Sequence, residues 1–141
     1  MKVYVDSSFL VSLYVTDRHS SESRQRVLAA PRIAFTPLHR AEWAHAIAQH
    51  VFRGELTPPE ARRLERQLEE DITAGRWLEV EMPGTAFALC AHLGRQYGPK
   101  LGVRTLDSLH VANALELQAK RFWTFDGRQA KLAEAKGLHT S

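Results

Sequence analysis

The stretch Thr105-Leu106-Asp107-Ser108-Leu109-His110-Val111-Ala112-Asn113-Ala114-Leu115 constrains the chain more than any other. It reads as a helix, yet its polar and apolar residues do not separate onto two faces. By helical rotation Asp107, Val111, Ala114 and Gln118 share one stripe, while Leu106, Leu109 and Glu116 lie roughly opposite. Apolar residues on both sides require a helix covered nearly all round by protein. The Asp107 side chain leaves the first turn at the head of a mostly apolar stripe. A carboxylate there is costly to desolvate unless a cation or a hydrogen-bond donor meets it.

Short apolar runs alternate with helical patterns along the rest of the chain. Val3-Tyr4-Val5, Ile33-Ala34-Phe35, Trp77 to Glu81 and Arg121 to Phe125 read as strands. The third alternates with one polar face, which places it toward a sheet edge. Helices are expected over Phe9–Val15, Ser20–Ala30 (Val27 and Leu28 inward, Pro31 ending it), Pro37–Phe52, Pro58–Thr73, Thr85–Tyr97 and Arg128–Lys136. The central helix should run to about Lys120, after a loop from Gly98 to Arg104. Pro37 suits a first helical position, Thr57 with Glu60 forms a capping box, and Gly137 closes the last helix. Strands alternating with helices make a parallel sheet with helices on both faces the natural architecture.

With 141 residues the chain reads as one domain, 1–141, long enough to bury a real core. The single cysteine, Cys90, excludes an internal disulfide and reads as a buried packing residue. The apolar start is interrupted by Asp6, Ser7 and Ser8 too early for a signal peptide. No run approaches the ~18 apolar residues of a membrane span, so a cytoplasmic location is expected. The net charge of +3 leans only mildly toward a polyanionic partner. Setting four acids aside in one site would leave 12 acids against 19 Lys and Arg, or +7 elsewhere. Acid inside a basic surround is what binding a phosphodiester through metal ions needs.

Four acids share one topological description. Asp6 and Asp126 each follow a strand directly; Glu42 and Asp107 sit in the opening turns of helices whose N-termini should point to the same edge. That carboxyl edge is where open α/β sheets bind ligands. Each acid has a plainer reading alone: Asp6 caps a helix, and Glu42 is favoured near a helix N-terminus by the dipole. Together they would repel one another unless cations neutralise them. Hard oxygen donors of this kind suit Mg²⁺ or Mn²⁺.

In these blocks the sequence resembles the PIN-domain ribonucleases, and within them the VapC-like toxins of type II toxin–antitoxin pairs. The resemblance rests on Val3-Tyr4-Val5-Asp6-Ser7-Ser8, Arg40-Ala41-Glu42-Trp43, Thr105-Leu106-Asp107-Ser108-Leu109-His110-Val111-Ala112 and Trp123-Thr124-Phe125-Asp126-Gly127-Arg128. It implies a three-layer α/β/α fold around a small parallel sheet of about four strands. It also implies a metal site of Asp6, Glu42, Asp107 and Asp126, supported by the hydroxyls of Ser7, Thr105 and Thr124. The implied activity is Mg²⁺- or Mn²⁺-dependent hydrolysis of RNA, leaving 5′-phosphate and 3′-hydroxyl ends. The implied partners are a small antitoxin and a second copy of the chain. The thin apolar stripe Ala61, Leu64, Leu68, Ile72 should pack on one neighbour, the preceding helix or a partner protein. Adjacency to the acids makes Arg18, Arg40, Arg104 and Arg128 the candidate RNA contacts.

Other chemistry is less well served. His110 follows Asp107 by three and turns to another side of the helix, so a structural role is expected for it. His39 is the other histidine near an acid, and His45 and His50 lack a zinc-type spacing. All three tryptophans lie in patterned segments and read as packing residues. The alternative from another class is a non-catalytic module of the same fold that binds RNA or protein.

Overall fold

The computed structural model describes residues 2–16, 19–29 and 32–141, with only the backbone of 28 and 29. Four strands, β1 (Val3–Val5), β2 (Ile33–Phe35), β3 (Trp77–Glu79) and β4 (Arg121–Trp123), form one sheet in the order β3-β2-β1-β4. All three pairings are parallel, with Val3 opposite both Ile33 and Arg121. β3 lies at an edge, as its one-sided pattern predicts, and β1 and β2 are fully buried.

Among the described residues seven helices flank the sheet: α1 (Ser7–Ser12), α2 (Ser20–Ala29), α3 (Pro37–Phe52), α4 (Pro58–Thr73), α5 (Ala86–Leu101), α6 (Thr105–Glu116) and α7 (Gly127–Ala135). The apolar residues divide into two clusters, one on each sheet face. One gathers Tyr4, Ala34 and Phe122 with α5, α6 and α7; the other gathers Val3, Val5, Ile33 and Phe35 with α1, α3 and α4. Alternate side chains of a strand point to opposite faces, which is why Tyr4 and Val5 belong to different clusters. None of the described helices is long and apolar enough to cross a membrane.

The central helix is covered as its sequence demands, with Ser108 to Ala114 buried without interruption. Leu106 is the apolar residue of the helix left exposed, at 49%. The helix ends at Glu116, short of the expected Lys120. Gln118 takes a left-handed φ of 60°, its N–H bonds Leu115 O, and the Ala119 N–H bonds Ala114 O. This pair of bonds is a Schellman closure built without glycine. The preceding helix departs the other way. Gly98 and Pro99, expected to open a loop, lie inside α5, which continues to Leu101. Proline forfeits one helix bond, but Tyr97 and Leu101 pack on the core, and the αL residue Gly102 closes the turn through its N–H to Gly98 O.

The first helix starts two residues earlier than expected because Asp6 caps it directly, and it ends at Ser12. Leu64 and Leu68 of α4 are buried within the cluster that holds Trp43, Ile47 and Trp77. The thin stripe is therefore satisfied by α3 and β3 of this chain and does not itself call for a partner protein. Trp43, Trp77 and Trp123 are all buried, at 1%, 4% and 6% exposed.

Candidate functional site

The acids reach one edge by three routes. β1 and β4 run parallel, so Asp6 and Asp126 emerge together beyond their carboxyl ends. β2 feeds α3 through Thr36, which brings Glu42 to the second turn of a helix starting at that edge. α6 runs down to β4, so its N-terminus, with Asp107, lies at the same edge. Asp6 caps α1 with one oxygen and turns the other toward Thr124. Its Oδ1 accepts the Phe9 N–H at 2.9 Å, and its Oδ2 faces Thr124 Oγ1 at 3.0 Å. Asp126 likewise caps α7, its Oδ1 accepting the N–H groups of Arg128 at 2.8 Å and Gln129 at 3.1 Å.

Glu42 is held by side chains. Its Oε1 accepts the Ser7 hydroxyl at 2.7 Å and meets His110 Nε2. The rotation argument that turned His110 away from Asp107 holds for the helix, but the ring spans the gap to α3. Its other nitrogen, Nδ1, lies 2.7 Å from the Tyr4 hydroxyl, to which Asn113 Nδ2 donates at 3.4 Å. Asn113 donating to Tyr4 and Tyr4 donating to Nδ1 together assign the His110 proton to Nε2, facing the carboxylate. Sequence reasoning missed this chain; the signal was a run of polar residues, Ser108, His110 and Asn113, on a helix buried all round. His39 is a neighbour with another task. It is fully buried, its Nε2 donates to Val5 O at 2.7 Å, and its Nδ1 accepts the Thr36 N–H at 3.0 Å. Burial lowers its pKa to about 3, so it stays neutral.

The carboxyls are electrostatically uneven. Burial pushes the Asp6 pKa up to about 6, against the Phe9 N–H, His110 and Thr124, and the Glu42 charge adds to the rise. Asp107 is also raised, by burial first and then by the Asp126 charge, with the Arg104 N–H and charge opposing. Burial raises Glu42 too, but the His110 and Ser7 hydrogen bonds outweigh it and leave the pKa lowered. The four acids thus stand as a Glu42–Asp6 side and an Asp107–Asp126 side. Among the described residues no three His, Cys, Asp or Glu side chains stand together as a ready metal cluster. The donor chemistry nevertheless fits a hard divalent cation: four carboxylates share one edge, and two are raised by burial and by a neighbouring acid.

The supporting residues fare differently. Ser7 and Thr124 contact Glu42 and Asp6, whereas Thr105 is exposed and meets Cys90 Sγ through its carbonyl. Arg104 caps α6 beside Asp107, and an Arg128 nitrogen lies 3.7 Å from where a Cβ on Gly102 would sit. Arg40 is turned away, paired with Glu69 at 2.6 Å and Glu79 at 3.3 Å; two residues along a helix separate it from Glu42 by more than a right angle. Arg18 lies outside the described residues. A groove of about 580 Å³ runs from Ser7 and Glu42 along α3 past His45, Gln49 and His50. A cavity of similar size, lined by Tyr14, Ile33, Asp71 and Trp77, lies where β2 and β3 begin, at the other end of the strands from the acids.

Residues 3–135 match the PIN-domain family, and the chain belongs to that family. Similar solved structures include VapBC2 of Rickettsia felis bound to a DNA fragment from its promoter. The identity is 16% over 100% of this chain and 98% of that one, with a TM-score of 0.69. FitAcB of Neisseria gonorrhoeae is 17% identical over 98% and 95% of the two chains, with a TM-score of 0.70. The sarcin–ricin loop cleaving toxin VapC20 of Mycobacterium tuberculosis is 13% identical over 99% and 98%, with a TM-score of 0.68. At these identities the likeness establishes the fold. No curated protein matches the sequence.

Proposed function

We propose that this PIN-domain protein is a metal-dependent endoribonuclease, the toxin of a toxin–antitoxin pair, with Asp6, Glu42, Asp107 and Asp126 as its metal ligands. One observation carries the reading: carboxylates converge on one sheet edge, and each side holds one acid raised by burial with a second acid charge adding to it. Bound Mg²⁺ or Mn²⁺ would supply a water of lowered pKa and neutralise charge on a phosphodiester.

The chain's own residues prepare that site. Ser7 and His110 hold Glu42 in its ionised form, and the first turns of α1 and α7 fix Asp6 and Asp126 by one oxygen each. Arg104 and Arg128 flank the more open side, where they can meet RNA phosphates as point charges. A small antitoxin and a second copy of the chain are the partners proposed, in the cytoplasm. The likeness to VapBC2 and to a toxin–antitoxin complex of Klebsiella pneumoniae supports the antitoxin.

The test is cleavage of RNA by the purified chain with Mg²⁺, Mn²⁺ or chelator, with the product ends sequenced, beside Asp6→Asn and Asp107→Asn. Metal-dependent cutting that both variants lose supports the reading. Full activity in chelator, or in both variants, overturns it. Folded wild-type chain that binds RNA without cutting it under any metal leaves the non-catalytic binding module.

A further inference from the structure

One fully buried polar side chain near the acids belongs to none of them. Gln129 is 0% exposed, on the inward face of α7 with Leu132 and Ala133. Its Nε2 donates to the main-chain carbonyl of Asp107 at 3.2 Å, and its Oε1 lies 2.7 Å from Thr124 Oγ1. One amide on α7 therefore joins α6 to the residue that follows β4. Its orientation is fixed, because the Asp107 carbonyl accepts only from the nitrogen, which leaves the oxygen for Thr124.

That assignment bears on Asp6. Thr124 has one hydroxyl proton and two acceptors in reach, Gln129 Oε1 at 2.7 Å and Asp6 Oδ2 at 3.0 Å. Its oxygen already accepts the Asp126 N–H at 3.0 Å. We propose that Gln129 is a positioning residue of the acid site: its amide oxygen holds the Thr124 hydroxyl in place beside Asp6 Oδ2, and its amide nitrogen fixes the main chain at Asp107. The Gln129 N–H to Asp126 is generic to any residue there; the side chain is what the other two links require. The inference rests on the nuclease reading, since it names what holds that site's acids in place.

Gln129→Met keeps the length and the packing and removes both links. The measurement is Mn²⁺ affinity by electron paramagnetic resonance, with the melting temperature recorded alongside. Polar groups that orient metal ligands typically change metal affinity by ~10–100-fold, and a weakening of about tenfold or more is expected. In a Thr124→Val background the further loss from Gln129→Met should shrink, because one of its two links is already gone. If Gln129→Met does not fold, Thr124→Val cuts the same link from its other end and carries the same expectation. Mn²⁺ affinity within about twofold of wild type, with only the melting temperature lowered, would reduce Gln129 to a structural residue and overturn the inference alone. A wild-type chain that binds no Mn²⁺ overturns the inference together with the nuclease reading.

Discussion

The two sides of the acid edge are built from different materials. Around Asp6 and Glu42 the contacts, apart from the Phe9 N–H on Asp6, are side chain to side chain and run inward from Glu42 through Ser7, His110, Tyr4 and Asn113. Around Asp107 and Asp126 they are mostly main chain, the helix N–H groups of α7 and the neighbourhood of Arg104, and Asp126 is exposed. The first side is the more buried and internally bonded; the second is more open and flanked by arginines. A site that must hold an ion firmly and still admit a long polyanion needs both. Buried networks fix geometry but exclude substrate, and exposed acids beside arginines do the reverse.

The largest expected effect is on chemistry. Asp6→Asn should lower metal-dependent RNA cleavage by roughly 10²–10³-fold, the scale for losing one group that bears on transition-state charge. The chain should remain folded, since Oδ1 can still accept the Phe9 N–H. Cleavage at the wild-type rate would place the chemistry elsewhere.

The same substitution sharpens the contrast through pH. Between pH about 4 and 6 the folded chain keeps a proton on Asp6 that the unfolded chain has released. Stability should therefore fall as pH rises through that window, by up to about 3 kcal/mol for this one group. Glu42 has the opposite sign: its contribution is present above its unfolded value and lost as pH falls through its lowered folded one. Urea unfolding of the metal-free chain from pH 4 to 7 should show a shallower decline in Asp6→Asn than in wild type. Identical slopes would mean that Asp6 is not held out of water.

Tyr4→Phe probes the inward chain. It leaves His110 Nδ1 and Asn113 Nδ2 without their partner in a buried setting, at a cost of about 1–3 kcal/mol. Chemical denaturation measures it, and a neutral result would show that the chain through Tyr4 does not support Glu42. The smallest effects belong to the open side. Arg104→Ala and Arg128→Ala should each weaken RNA binding a few-fold and flatten its salt dependence, by roughly one counterion per arginine. Arg40→Ala should leave RNA binding unchanged and cost at most about 1 kcal/mol, because its partners are the exposed Glu69 and Glu79. Equal losses from Arg40 and Arg104 in a filter-binding titration would break the assignment of RNA to that side.

Much of this molecule is legible without coordinates. The four strands, their parallel pairing and the bounds of α3 and α4 follow from hydrophobic period and capping residues, which act within a few positions along the chain. The expectation that α6 is enclosed rests on the same kind of reasoning. Local chemistry also placed each acid beside a strand end or a helix start. It did less well at Gly98, Pro99 and Gln118, where tertiary packing overrode the usual meaning of glycine, proline and a left-handed backbone.

What the sequence by itself determined, then, is which residues arrive at the carboxyl edge, because strand direction and helix polarity follow from local order. What only the tertiary structure decided is how they are held there. The His110 ring crosses to Glu42, Arg40 turns away to Glu69 and Glu79, and Gln129 joins Thr124 to the Asp107 main chain. Two of these links join residues 68 and 29 positions apart. For His110 and Gln129 the partners are selected by burial, which makes an unpaired polar group costly, and burial is a property of the packed chain.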